Sequence, residues 1–234
     1  MKEKMRINTG IENLDEKIEG GIPQFSSVLL VGPPGSGKTT FCNQFIYKGL
    51  EQNEAAIYIL FNAPPDEVKR SMEKFGWRIE GKIIVFIDVY SWQVGGIEKD
   101  TYIINNPADL NEFNIKISQA IKELQDKNLK RCCIDAISTL YLYVPKDLCA
   151  KFSSVLFAKL KSSKLTSLST VEKDVIEAKD MATLEALTDG TIELGFDPMA
   201  YTQRLMWIRR LKDTKPPLEA IRFTITDKGL VVEK

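Results

Sequence analysis

The 234-residue chain contains no histidine. That absence removes Ser-His-Asp and Cys-His catalysis, zinc sites of the HExxH kind, and switching by imidazole protonation. Cysteine is scarce. Cys42, Cys132, Cys133 and Cys149 are the whole set, and no two are spaced as CxxC, which argues against a zinc or thioredoxin-like centre. Cys132 and Cys133 are neighbours in an apolar run and read as small buried thiols, so a reduced, cytoplasmic protein is expected. No apolar run approaches the roughly 18 residues of a membrane helix. None follows Met1-Lys2-Glu3-Lys4 as a secretory leader would require. Neither sign of charge is in excess, with 32 Lys plus Arg against 32 Asp plus Glu. A nucleic-acid or membrane partner recruited by bulk charge therefore has no support, although a local patch is compatible with this balance.

What is present is a globular composition, 44% hydrophobic and 27% charged, long enough for one domain over residues 1–234 with a sizeable core. Short β-rich runs alternate with longer amphipathic segments, the pattern of parallel βαβ units. Nearly continuous apolar runs at Ser27–Val31, Ala56–Phe61 and Ile83–Val89 predict strands buried on both faces, and Cys132–Ile137 and Leu165–Val171 predict a fourth and a fifth strand. Helices are expected from Lys38 to about Gln52, from Pro64-Pro65-Asp66-Glu67 onward, over Asp109–Asp126 and from about Lys146 to Leu160. Ser91–Pro107, with Gly95-Gly96 and Asn105-Asn106-Pro107, reads as a long loop. Beyond Met181 the pattern changes. Thr191–Leu194, Arg204–Arg210, Ile221–Thr226 and Leu230–Val232 predict antiparallel strands that finish the sheet.

The chemistry is concentrated in Gly32-Pro33-Pro34-Gly35-Ser36-Gly37-Lys38-Thr39, which fits G-x-x-x-x-G-K-[ST]. A chance match in this length is roughly 1 in 100, and the segment has the required context between a strand and a helix. The glycines let backbone N–H groups converge on phosphate oxygens, and the helix that follows, opening with Lys38, Thr39 and Thr40, adds its positive end. Lys38 sets a mobile cation against the β- and γ-phosphates, and Thr39 offers its hydroxyl to Mg²⁺. The partner acid is expected at the end of an apolar strand. Arg131-Cys132-Cys133-Ile134-Asp135 supplies Asp135 for Mg²⁺, with the strand-end Asp88 as competitor. Ser138 and Thr139 follow that strand, suited either to sensing the γ-phosphate or to capping the next segment. Trp77 and Trp92 are suited to packing more than to stacking on a base.

With these residues in place, the chain resembles the KaiC-like branch of the RecA/RadA superfamily of ATPases over nearly its whole length. Thr9-Gly10-Ile11-Glu12-Asn13-Leu14-Asp15 is similar to the family's opening, and Gly20-Gly21-Ile22-Pro23 and the phosphate loop follow. Lys74-Phe75-Gly76-Trp77, Ile134-Asp135-Ala136-Ile137-Ser138, Leu187-Thr188-Asp189-Gly190 and Phe223–Leu230 resemble later family elements. The resemblance implies an α/β fold with a RecA-like P-loop core. Its central sheet would be mainly parallel, flanked by helices and closed by C-terminal antiparallel strands. It also implies ATP and Mg²⁺ binding and a homo-oligomer, with a hexameric ring as one form.

Three departures stand out. Where the family carries two adjacent catalytic glutamates, this chain has Asn62-Ala63, and an amide cannot take a proton from water. The family's basic K-x-R becomes Arg210-Leu211-Lys212, the cations that the resemblance assigns to a neighbour's nucleotide. Phe25 stands where a small Gly is usual, a change that reads as a matter of packing. These features point to an ATP-binding protein with weak or absent hydrolysis, serving as a nucleotide-dependent regulator. An active ATPase using Glu172, Asp66, Glu67 or a neighbour's acid is the alternative. A third reading is a RadA-paralogue-like DNA-binding accessory that uses Lys159, Lys161, Lys164, Arg209, Arg210, Lys212 and Lys215.

Overall fold

The computed structural model describes residues 5–93 and 101–233. Met1–Lys4 and the Gly95-Gly96 part of the expected loop lie outside the described residues. In chain order the strands are β1 (Arg6–Ile7), β2 (Ile22–Pro23), β3 (Ser27–Gly32), β4 (Ala55–Leu60), β5 (Ile84–Asp88), β6 (Thr101–Ile103), β7 (Leu129–Asp135), β8 (Thr166–Glu172), β9 (Gly190–Asp197), β10 (Ala200–Leu211), β11 (Ile221–Thr226) and β12 (Gly229–Val232). The helices are α1 (Leu14–Lys17), α2 (Lys38–Glu51), α3 (Pro65–Glu73), α4 (Leu110–Leu124), α5 (Lys146–Ser162) and α6 (Ala178–Leu187).

Ten strands form one sheet in the order β12-β11-β10-β9-β3-β8-β7-β4-β5-β6. Pairing is parallel from β9 through β6, and β10, β11 and β12 close the other side antiparallel. The expected fold class is therefore the observed one. Every residue of β3 and β4 is buried, as their unbroken apolar runs require of strands covered on both faces. Alternation along the strands feeds two cores. One packs Leu30, Tyr58 and Ile192 against Phe41 and Phe45 of α2 and Val68 and Met72 of α3. The other packs Leu29, Ile57 and Ile134 against Phe113 of α4, Phe152 of α5 and Leu184 of α6. Each fully buried Leu or Phe contributes about 1.5–3 kcal/mol through removal of apolar area from water.

Several elements differ from the expectation. The fourth predicted strand, Cys132–Ile137, is shifted: β7 starts at Leu129 and ends at Asp135, and Ile137–Leu142 is a 3₁₀ segment. The polar look of Leu129-Lys130-Arg131 hid the strand's start. Arg131 is nonetheless fully buried. Its guanidinium donates to Glu54 Oε2 at 2.6 Å, to the Asn8 and Phe45 carbonyls at 2.7 and 2.8 Å, and lies over the Phe45 ring. The expected Ser91–Pro107 loop contains the edge strand β6, paired with β5. Helix α6 carried too little periodicity to be predicted, since only Leu184 on it is fully covered. Phe25, expected to matter only for packing, adopts φ 61°, the left-handed conformation that a glycine takes without strain. Trp77 is buried and stacks with both Tyr47 and Phe75, a packing role as expected, and Trp92 meets Tyr143 edge-on.

Gly49 near the end of α2 makes room for Arg131. A Cβ there would sit 2.4 Å from Arg131 Nε and 2.8 Å from Glu54 Oε2. Gly49→Ala is therefore expected to destabilise the chain by about 1–3 kcal/mol through overpacking, although Ala is the better helix former. Urea denaturation checks this, and an unchanged or raised midpoint contradicts it.

Candidate phosphate-binding site

Strand β3 ends at Gly32, and the chain turns through Pro33–Gly37 into α2. Gly35 and Gly37 have φ of 76° and 105°, and Gly35 has nothing within 4 Å of the place a Cβ would occupy. These are the backbone conformations that let successive N–H groups point into one concavity. The Ser36 hydroxyl is buried and has no partner, a polar atom left over inside the loop. A cavity of about 220 Å³ opens here, lined by Gly35, Gly37, Lys38, Thr39, Thr40, Glu172 and Ile225.

The side chains expected from the sequence converge. Thr39 Oγ1 donates to Asp135 Oδ2 at 2.7 Å, and Thr170 on β8 donates to the other carboxylate oxygen. Asp135 reaches this position because β7 lies next to β8, which lies next to β3. The Asp135-Ala136 peptide that follows is cis. Burial pushes the Asp135 carboxyl above the usual range; the Thr170 and Thr39 hydroxyls and Lys38 oppose that shift, and Glu172 adds to it. The Lys38 ammonium is buried and makes three bonds, to the Gly32 carbonyl at 2.8 Å, the Pro33 carbonyl at 2.9 Å and Glu172 Oε2 at 3.0 Å. Glu172 is fixed from behind, since its backbone N–H donates to Ser138 Oγ at 3.0 Å. Thr139 donates to Asn62 Oδ1 at 2.8 Å, so the Asn62 position also borders this end of the sheet.

Other candidates are elsewhere. Asp88 does not join the site: its carboxylate accepts from the Tyr90 and Ser91 amides at 2.8 and 2.9 Å, capping the 3₁₀ turn that follows β5. Arg210 donates to the Glu185 and Thr188 carbonyls at the end of α6, and Lys212 lies 3.7 Å from Asp189. Arg210 pairs with Thr191, which is opposite Leu29, so both cations sit toward the other end of the sheet from the loop. Of the basic residues expected for a DNA surface, Lys161 and Lys212 share Asp189 and Arg209 pairs with Glu193. Lys159 is tied to Asn114 and Ser118. Sequence reasoning missed Thr170. A threonine in a strand already rich in Ser and Thr carries no signal of its own until the strand order places it beside Asp135. Among the described residues no cluster of three acidic or cysteine side chains forms a metal cage. A cation here would therefore rest on Thr39, Asp135, water and phosphate oxygens. All four cysteines are buried and unpaired, and no described helix is long and apolar enough to cross a membrane.

Comparison with known proteins agrees with this geometry. The family model described as the KaiC ATPase matches residues 7–234. The chain is 34% identical to a UPF0273 protein of Thermotoga maritima, with 97% of this chain and 95% of that one aligned. It is 32% identical to a UPF0273 protein of Pyrococcus furiosus, covering 97% and 93%. Its fold is similar to the crystal structure of a KaiC-like protein from Pyrococcus horikoshii, with a TM-score of 0.79, 26% identity and coverage of 99% and 100%.

The raised Asp135 carboxyl has a measurable consequence. Its folded value lies above its unfolded one, so its contribution to stability is full below pH 3.8 and is lost as pH rises through the folded value. Ionised Asp135 is therefore a cost at neutral pH. Asp135→Asn in metal-free buffer is expected to raise the thermal midpoint at pH 7 and to lose that advantage in acid. A lowered midpoint at pH 7 contradicts it.

Proposed function

We propose that this chain, which belongs to the KaiC family of ATPases, binds ATP with Mg²⁺ and hydrolyses it slowly or not at all, acting as a nucleotide-dependent switch. The observation that carries this reading is the meeting of Lys38, Thr39 and Asp135 at the glycine cradle, while Asn62 stands where the resemblance places the catalytic acids. The orphan Ser36 hydroxyl and the open Gly35 cradle suit a phosphate chain, which presents only acceptors and negative charge. Thr39 and Asp135 are hard oxygen ligands of the kind Mg²⁺ prefers. The bound cation would neutralise charge on the phosphate oxygens.

What this chain supplies is binding and orientation. The loop amides hold the phosphates, and Lys38 moves onto them from its present carbonyl partners. Asn62, itself held by Thr139, orders a water by hydrogen bonds but cannot accept its proton. A general base contributes roughly 10²–10⁴-fold, so turnover is expected to fall by about that factor relative to a glutamate-bearing site. A second reading, residual hydrolysis through Glu172, is favoured by one observation: its carboxylate lines the same cavity. Arg210 and Lys212, lying toward the opposite end of the sheet from their own loop, are suited to serve a neighbouring copy in a homo-oligomer.

Two measurements test this. Mg²⁺-ATP at about 100 times its Kd is expected to stabilise the protein by about 2.7 kcal/mol, and Lys38→Ala should abolish most of that shift; full persistence would place the ligand elsewhere. Replacing Asn62 and Ala63 together by Glu is expected to raise phosphate release at least about tenfold. Turnover in the unmodified chain already equal to that of the double variant would refute the impaired-hydrolysis reading.

A further inference from the structure

The phosphate-binding cavity has one positive and one negative side chain in its lining, Lys38 and Glu172, and they are bonded to each other. A site for anions would be expected to keep its cation free and its walls uncharged. Here the ammonium is already compensated, and the compensating group is placed by the fold. Glu172 is the last residue of β8 and lies opposite Gly32 in register. The backbone on either side of it is fixed. Its own N–H donates to Ser138 Oγ, and the Lys173 N–H donates to the Gly32 carbonyl at 3.0 Å. The carboxylate can therefore turn only about its side-chain bonds. At 24% side-chain exposure it has solvent to turn into, whereas Lys38 at 5% does not.

The strand order adds a direction. Strand β8 lies between β3, which delivers the loop, and β7, which delivers Asp135. A phosphate chain seated on the loop amides, with its metal on Thr39 and Asp135, would extend toward the end of β8. The loop would hold its first two phosphates. The third would approach Lys38 where Glu172 Oε2 now stands, 3.0 Å from the ammonium. Two anions competing for one cation in a partly desolvated cavity repel each other strongly.

We infer that Glu172 is a specificity-determining residue that acts as an internal stand-in for the terminal phosphate, biasing this site toward nucleoside diphosphate over triphosphate. The inference rests on the nucleotide-binding reading above and adds to it which nucleotide the site prefers and why. A diphosphate leaves the Lys38–Glu172 bond in place. A triphosphate has to break it and push the carboxylate out toward solvent. The switch then has a defined order: the triphosphate-bound protein is the one in which the Glu172 carboxylate has left Lys38 and turned toward solvent.

Titration calorimetry on the full chain tests this, using Mg²⁺-ADP and a non-hydrolysable Mg²⁺-ATP analogue with the unmodified protein, Glu172→Gln and Glu172→Ala. Glu172→Gln keeps the size and an acceptor oxygen but removes the charge. The expected result is a ratio of triphosphate to diphosphate Kd that falls at least tenfold in both variants, with the diphosphate Kd moving less than about threefold. A ratio unchanged within twofold overturns the inference while leaving nucleotide binding intact. Weakening of both nucleotides together also overturns it, because Glu172 would then be supporting the loop. Failure of the unmodified protein to bind either nucleotide overturns the underlying reading and this one with it.

Discussion

The site depends on a short polar chain through the sheet: Thr39 to Asp135 to Thr170. The phosphate loop and the acid come from segments about a hundred positions apart. Nothing local forces them to meet. Two hydroxyls donating to one buried carboxylate fix α2 to β7 and β7 to β8, and these bonds offset part of the cost of holding Asp135 away from water. Packing alone would bring the strands together without fixing where the acid points. The hydrogen bonds make the orientation specific, because a misplaced carboxylate would be both buried and unpaired.

Charge is managed with the same economy around Lys38. A buried ammonium needs acceptors on all its protons, and the loop supplies two carbonyls while β8 supplies a carboxylate. The cation is thus held ready in the wall of the cavity at little electrostatic cost to the fold. The same arrangement means that any anion binding the Lys38 ammonium itself must displace a partner already present. At the same end of the sheet, beyond the ends of β4 and β7, the Asn62–Thr139 bond joins two neutral groups. These features support the proposed switch reading, in which the cavity recognises phosphates more than it breaks them.

The glycine-rich loop, Lys38, Thr39 and Asp135 were legible in the sequence because each demands a residue type at a fixed distance from a strand end. The sheet class was legible too, since uninterrupted apolar runs such as Ala55–Leu60 fit only strands covered on both sides. Other features were hidden for physical reasons. Arg131 looks like a loop residue until Glu54 and two carbonyls are brought to it from distant segments. Thr170 looks like a β-branched filler, and Asp88 stood as a less favoured competitor to Asp135 until its amide partners appeared. Glu172 was visible as a strand-end acid, but its bond to Lys38 follows from strand order, which one sequence does not encode locally. Phe25 looked like a packing substitution, and its left-handed backbone shows a conformational requirement instead.

The contact between Gly49 and Arg131 reaches beyond this one molecule. Because the guanidinium fills the volume a side chain at position 49 would need, neither position is free to drift alone. A lineage that acquires a methyl group at 49 must shorten 131, and then Glu54 loses its counter-ion and the Asn8 and Phe45 carbonyls lose a donor. Positions 49, 54 and 131 therefore form an epistatic set, whereas the partners at 8 and 45 are backbone carbonyls that any residue there would supply.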